Sequence, residues 1–265
     1  MLLKNQLKFV TSLKQKKNRE AQQLFIAEGT KVVTELLSSS IVVKQLFATP
    51  QFFKDKKIDH TTECFEIKTS ELERISSLTT PNEVLAICEI PNYELVAGEL
   101  ENKLTLVLDD IKDPGNLGTI IRIADWFGIE NIICSTETVE SFNPKVVQAT
   151  MGSIARVKIH RMDLIAFFKV KSLPATQAGS KWNVESFGAV LNGENIYSKT
   201  LPVNGLIVIG NESRGISEEV LPYIKNKIGI PSFSSYKQGN EKAESLNAAI
   251  ATAIICSEFR RRIKA

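Results

Sequence analysis

From Leu104 to the C-terminus, short apolar runs alternate with helical patterns, and this alternation restricts the fold more than any other feature of the chain. Leu104–Leu108, Asn131–Cys134 and the runs 188–191, 206–209 and 227–230 read as buried strands. Between them, Leu117, Ile120, Ile121 and Ala124 share one helical face, and Asn143-Pro144 opens a second helix in the order cap residue, then proline. Ser217-Glu-Glu predicts a further helix start. The last helix is expected to bury Leu246, Ala249, Ile250, Ala253 and Ile254. The pattern implies an α/β fold with a mostly parallel sheet and helices on both faces.

Three polar stretches fall at strand ends: Asn116-Leu-Gly-Thr-Ile-Ile-Arg122, Gly210-Asn-Glu-Ser-Arg-Gly215 and Ser245-Leu-Asn247. In open α/β sheets ligands bind at the carboxyl edge, where loops can be polar while the sheet stays packed. Each stretch also has a bland reading. Asn116 can cap its helix, Arg122 can be a surface charge, Ser245 can cap the last helix, and Asn247 can be merely exposed in its first turn. The two glycines around 211–214 are harder to dismiss, because they let backbone amides approach a ligand closely.

Other chemistries find little support. No Gly-x-Gly-x-x-Gly follows the first strand, and no Gly-x-x-x-x-Gly-Lys-Ser/Thr occurs. Two histidines, His60 and His160, make a histidine metal site or Ser-His-Asp triad hard to build, so no metal is expected. Four widely spaced cysteines, Cys64, Cys88, Cys134 and Cys256, read as buried thiols in a reducing compartment. No run reaches the roughly eighteen apolar residues of a membrane span, and the N-terminus lacks a signal-peptide core; a cytoplasmic location without membrane association is expected.

The first ninety or so residues mix helix and strand patterns, with a helix at 31–37 and strands at 42–48 and 84–90. Residues 4–19 hold Lys4, Lys8, Lys14, Lys16, Lys17 and Arg19 and no acid, although the net charge of the chain is only +3. Interleaved Leu7, Val10 and Leu13 suit a helix with one packed face and one face toward phosphates; a solvated lysine face is the alternative. A polar stretch after Pro91 reads as a linker. The organisation expected is therefore a first domain at 1–95, a linker at 96–103 and a second domain at 104–265.

Taken together, the three strand-end stretches resemble the signature motifs of the SpoU, or TrmH-like, RNA ribose 2′-O-methyltransferases of the SPOUT superfamily. The likeness extends to Asn143-Pro-Lys-Val-Val-Gln-Ala-Thr-Met-Gly152, and to Phe25-Ile-Ala-Glu-Gly29 and Thr80-Pro81 in the family's N-terminal substrate-binding domain. The resemblance implies a deep trefoil knot in the C-terminal sheet and a smaller α/β N-terminal domain of ribosomal-protein type. It implies S-adenosyl-L-methionine as cofactor, a homodimer, and RNA as substrate, ribosomal RNA being favoured over transfer RNA. Gly210, Asn211, Ile230 and Leu246 would line the cofactor site, with Leu191 and Gly193 on the adenine side. Asn116, Arg122, Glu212, Ser245 and Asn247 would form the catalytic, substrate-facing set, and Lys14, Lys16, Lys17 and Arg19 would bind RNA. A non-catalytic RNA-binding protein on the same fold is the alternative from another class; retention of Arg122, Glu212 and Asn247 speaks against it.

The family's usual proposal makes the first-motif arginine, here Arg122, the general base. An arginine loses its proton at neutral pH only at a cost of roughly 8 kcal/mol, so a charged Arg122 stabilising the developing alkoxide is preferred. Two departures from the family pattern stand out. The stretch 232–244 is longer than expected beside a cofactor, with Tyr236 and Lys237 able to reach RNA. The pattern Thr-Pro-x-Gly reads Thr80-Pro81-Asn82-Glu83, so a turn glycine is replaced.

Overall fold

A computed structural model of the chain describes residues 2–54, 58–95, 97–172, 184–233 and 245–261. In chain order the first part contains α1 (Lys4–Ser12), α2 (Lys16–Gln22), β1 (Leu24–Glu28), α3 (Thr30–Leu37), β2 (Val43–Ala48), α4 (Pro50–Phe53), β3 (Glu63–Glu66), α5 (Thr69–Ile75) and β4 (Val84–Glu89). There follow β5 (Leu104–Leu108), α6 (Pro114–Trp126), β6 (Asn131–Cys134), α7 (Pro144–Ala149), β7 (Lys158–Arg161) and α8 (Leu164–Ser172). The chain continues with β8 (Ser186–Asn195), β9 (Gly205–Ile209), β10 (Asn226–Gly229) and α9 (Ala248–Arg260). Packing divides these elements into two units, Met1–Asn92 with Glu140–Arg156, and Tyr93–Val139 with Val157–Ala265.

The first unit holds a four-stranded sheet in the order β1-β4-β2-β3, antiparallel except for the β2–β3 pair. Its core gathers Val10, Leu13, Ile26, Phe47, Leu72, Ile75 and Leu85. Residues 140–156, which follow the first part of the 104–265 segment in sequence, pack with this unit. The cause is local: Phe142 meets Phe25 at 4.8 Å between ring centres, and Val146 and Val147 of α7 are buried.

Arg19, expected among the RNA-facing cations, requires correction. It is 1% exposed, and its guanidinium forks onto both carboxylate oxygens of Glu140. It also donates to the carbonyls of Leu13 and Lys14 at 2.8 and 2.9 Å, satisfying acceptors that the end of α1 leaves open. Lys14 donates to Ser76 O at 2.8 Å, whereas Lys16 and Lys17 are exposed, Lys16 within 3.5 Å of Glu20. In the turn before β4, where a glutamate replaces the family's glycine, Glu83 adopts φ +48°. The turn thus keeps a left-handed geometry that favours glycine, with a side chain in its place.

The second unit is a six-stranded sheet in the order β10-β8-β9-β5-β6-β7, every pair parallel. Strand order reverses at β5, which lies between β9 and β6. Loops leaving β5 and β9 therefore diverge around a crevice at the carboxyl edge. Helices α6 and α9 run side by side: Asn247 bonds Asn116 at their starts, and Arg260 Nε donates to Phe127 O at their ends.

Two expectations fail in this unit, and a third fails in the first. Ser217 opens no α-helix. Its backbone N–H and hydroxyl both donate to Asp109 Oδ2, at 2.8 and 2.7 Å, and Pro222 restricts the next segment to the 3₁₀ turn Leu221–Tyr223. Helix α9 buries Ala248, Ala249, Thr252, Ile255, Cys256 and Phe259, while Leu246 and Ile250 are exposed. Its sequence is apolar around most of its circumference, so periodicity fits two faces; packing on α6 and the Phe259–Phe187 edge contact select one. Finally, the cysteines are not uniformly buried. Cys64 of the first unit is exposed, whereas Cys88, Cys134 and Cys256 are buried; burial pushes the Cys134 and Cys256 thiols up to about 12.

Candidate functional site

The three strand-end stretches meet. Helix α6 begins not at an Asn116 cap but at Asp113, whose carboxylate accepts the Asn116 backbone N–H at 2.7 Å, with Pro114 at the first turn. Asn116 sits one turn in, and its side chain is released from capping. The last helix is capped by Asn247 rather than Ser245: Asn247 Oδ1 accepts from Ala249 N at 2.9 Å and Ile250 N at 3.3 Å. With that oxygen used, the Asn247 amide nitrogen faces outward and donates to Asn116 Oδ1 at 2.8 Å. Asn116 Nδ2 in turn donates to Glu212 Oε1 at 2.7 Å. Because a carboxylate accepts only, this chain from Asn247 through Asn116 to Glu212 admits one orientation of both amides. The second carboxylate oxygen of Glu212 makes no hydrogen bond among the described residues.

The loop after β9 is a tight hairpin. Asn211 and Gly215 exchange backbone hydrogen bonds, each at 2.9 Å, and Asn211 Oδ1 accepts from the N–H groups of Ser213 and Arg214. The chain folds back so closely that a Cβ on Gly210 would lie 2.1 Å from the Gly215 carbonyl carbon. Glycine is therefore obligatory there, and the turn presents Glu212 and Arg214 from a rigid base.

Beside this hairpin lies a cavity of about 820 Å³, in the size range of small-molecule sites. Leu191, Gly210, Asn211, Ile230, Leu246 and Ser245 all line it, as do Glu212 and Arg214 at its polar edge and Val190, Ile209, Ile228 and Ile255 on its apolar walls. Ser245 makes no side-chain hydrogen bond among the described residues. Gly193, expected on the adenine side, is not part of the lining. It is pressed against β10, where a Cβ would fall 2.2 Å from the Ile228 carbonyl carbon, and its role is to let two strands approach. The extra residues 234–244, with Tyr236 and Lys237, lie outside the described residues.

Arg122 stands apart from the hydrogen-bond chain. It projects from the exposed side of α6, one turn before Trp126, which is 85% exposed, and it pairs with no acid among the described residues. Sequence reasoning missed Asp110. This residue holds φ +62°, and its carboxylate binds Arg214 at 2.8 Å and Lys112 at 2.5 Å. The Asp109-Asp110 pair after β5 is visible in the sequence as loop chemistry, but nothing in one dimension joins it to Arg214. Among the described residues no helix is long and apolar enough to cross a membrane, and no group of His, Cys, Asp and Glu gathers that could hold a metal ion.

Comparison with known proteins shows the family. Residues 103–257 match the model of the SpoU rRNA Methylase family, and residues 4–86 match the MRM3-like substrate binding domain. The chain is 27% identical to the 23S rRNA (guanosine(2553)-2′-O)-methyltransferase RlmP of Bacillus subtilis over 92% of each protein. The fold superposes on a TrmH-family protein from Porphyromonas gingivalis with a TM-score of 0.84 at 38% identity, over 99% of both chains. It also superposes on the AdoMet-bound rRNA methyltransferase of Sinorhizobium meliloti with a TM-score of 0.84 at 29% identity, over 100% of this chain and 97% of that one. On this convergence of motif, site and fold, the chain belongs to the SpoU rRNA methylase family.

Proposed function

We propose that this protein transfers a methyl group from S-adenosyl-L-methionine to the 2′-oxygen of a ribose in ribosomal RNA. The observation that carries the proposal is the Asn247–Asn116–Glu212 hydrogen-bond chain at the polar edge of the 820 Å³ cavity. The cavity suits the cofactor chemically. Leu191, Ile230 and Leu246 offer apolar surface to an adenine ring, Gly210 exposes peptide groups, and the hairpin supplies polar groups for an amino-acid end. When bound, the cofactor supplies an electrophilic methyl on a sulfonium, which needs no metal.

The chain's own residues have three tasks. Asn116 and Asn247 hold Glu212 in a single orientation, leaving its second oxygen to accept from a ribose hydroxyl and fix its direction of approach. Ser245 offers a hydroxyl on the cofactor side. As the methyl moves to oxygen and S-adenosylhomocysteine leaves, the hydroxyl proton would pass to that Glu212 oxygen, and Arg122, charged, would stabilise the developing oxyanion and the neighbouring phosphate. Lys16 and Lys17 remain the N-terminal cations suited to RNA, with Lys14 contributing charge while its ammonium is tied to Ser76 O.

Two structural readings accompany this function. The close crossing of Gly193 over β10 and the return of the hairpin onto Gly210 fit a chain threaded as a trefoil knot. The protein works as a homodimer through the outer faces of α6 and α9. Trp126 and Ile250 leave large apolar surface open there, and a second copy covering Trp126 would also enclose Arg122. The test of the function is incubation with cofactor labelled in its methyl group and unmodified ribosomal RNA, followed by alkaline hydrolysis. Label in an alkali-resistant dinucleotide is the expected result. Label released as a methylated base, or a protein that binds cofactor yet labels no RNA, would overturn it.

A further inference from the structure

The hairpin that delivers Glu212 also delivers Arg214, and nothing in the proposed methyl transfer uses it. Arg214 is 76% exposed at the cavity edge, yet its guanidinium is not adrift: one nitrogen donates to Asp110 Oδ2 at 2.8 Å. The other oxygen of the same carboxylate lies 2.5 Å from Lys112 Nζ in an ion pair without hydrogen-bond geometry, and that ammonium donates to Glu137 O at 2.8 Å. Two cations thus share one anion, with both heads at least half open to solvent.

The anion is held firmly. Asp110 keeps a left-handed backbone, φ +62°, which is costly for a residue with a side chain and persists only where surroundings impose it. Its N–H donates to Ser135 Oγ at 3.0 Å, and its carbonyl accepts Asn211 Nδ2 at 2.8 Å. Asn211 also fixes the Arg214 backbone through its Oδ1. Through Asn211 the pair of cations is referenced to the hairpin that carries Glu212, and Lys112 precedes Asn116 by four residues on the loop into α6. A carboxylate needs only one cation to be neutralised. One that aims two cations past itself builds a receptor for an anion.

We infer that Arg214 and Lys112, positioned by Asp110, grip a backbone phosphate of the RNA strand beside the nucleotide to be methylated. The inference rests on the proposed function for the identity of the strand. Arginine suits the task because its unused N–H groups can reach two phosphate oxygens at once, while lysine adds a point charge. Asp110 is a positioning residue and touches no substrate.

The test measures binding of an unmodified ribosomal RNA transcript at several salt concentrations, binding of cofactor by calorimetry, and steady-state methyl transfer. Arg214→Ala and Lys112→Ala are each expected to weaken RNA binding roughly tenfold. Each should flatten the slope of log affinity against log salt by about 0.7–0.9, the signature of one lost phosphate contact. The KM for RNA should rise by a larger factor than kcat falls, and Arg214→Lys should restore part of the affinity. Asp110→Asn should raise the RNA KM without altering cofactor affinity. An unchanged salt slope in both alanine variants would overturn the inference. So would weakened cofactor binding with unchanged RNA affinity, which would assign Arg214 to the cofactor's carboxylate. A wild-type protein that binds both ligands but transfers no methyl would defeat the proposed function, while the salt slopes would still decide the role of the cation pair.

Discussion

Replacing Arg19 by alanine separates two readings of the basic N-terminus more sharply than any surface substitution. In the structure Arg19 is 1% exposed and its partner Glu140 has a side chain 14% exposed. Removing the guanidinium deletes two bonds to the carboxylate and two to the carbonyls of Leu13 and Lys14. Breaking a buried pair by removing one partner costs about 3–5 kcal/mol. The partial exposure of Glu140 lets water reach the abandoned carboxylate, which places the expected loss near the lower end, about 3 kcal/mol. Arg19→Lys should lose about 2 kcal/mol, since an ammonium keeps the charge but cannot span the fork and both carbonyls. Both tryptophans, Trp126 and Trp182, fall outside the residue ranges of this unit, so fluorescence would report on the wrong region. Amide hydrogen exchange read by mass spectrometry on peptides covering residues 4–28 and 140–156 is the appropriate assay. A loss of about 3 kcal/mol corresponds to roughly a hundredfold drop in protection there. Replacing both partners by methionine should cost less than Arg19→Ala alone, because no charge is left buried. Unchanged protection in Arg19→Ala together with loss of RNA affinity would refute the structural reading and return Arg19 to the RNA surface.

Glu83→Gly should stabilise the first unit by about 0.5–1 kcal/mol, seen as a higher denaturation midpoint, because it relieves a left-handed backbone at φ +48°; a lower midpoint would mean that the contact between Thr30 Oγ1 and the Glu83 carboxylate outweighs the strain. Arg122→Ala should lower methyl transfer at least a hundredfold while cofactor affinity stays within twofold, and loss of cofactor binding would make Arg122 structural. Burial pushes the His160 imidazole below its ordinary range, opposed by the Tyr93 carbonyl and Glu99. The unfolded chain therefore takes up this proton first, so stability should decline as pH falls below about 6.5. His160→Gln should flatten that part of the stability profile, and an unchanged slope would show that other groups dominate. Ile250→Asp should convert a dimer to monomer in sedimentation; a wild-type protein already monomeric at micromolar concentration would refute the assignment of that face.

The sheet and its three functional loops are legible in the sequence because each depends on local chemistry. A continuous apolar run must be buried as a strand, and glycines flanking a polar turn permit a close return of the backbone. Asn143 is read correctly as the cap of α7, but the caps of α6 and α9 are not, because several candidates stand within three positions of each start. Asp113 and Asn247 prevail through bonds that free Asn116 for Glu212. The buried face of the last helix is hidden for a different reason: its apolar residues cover two faces, and only its neighbour selects between them.

Sequence alone determined the class of fold, five of the six strands of the parallel sheet and the identity of the polar residues at its edge, since these follow from periodicity and side-chain chemistry along the chain. Tertiary structure decided what those residues do to one another. It buried Arg19 on Glu140, drew residues 140–156 into the first unit, and set Arg214 and Lys112 on Asp110. Each of these joins residues far apart in the chain or turns a surface charge into a fixed one. No one-dimensional pattern carries that information, because the energy of a charge depends on what surrounds it rather than on what precedes it.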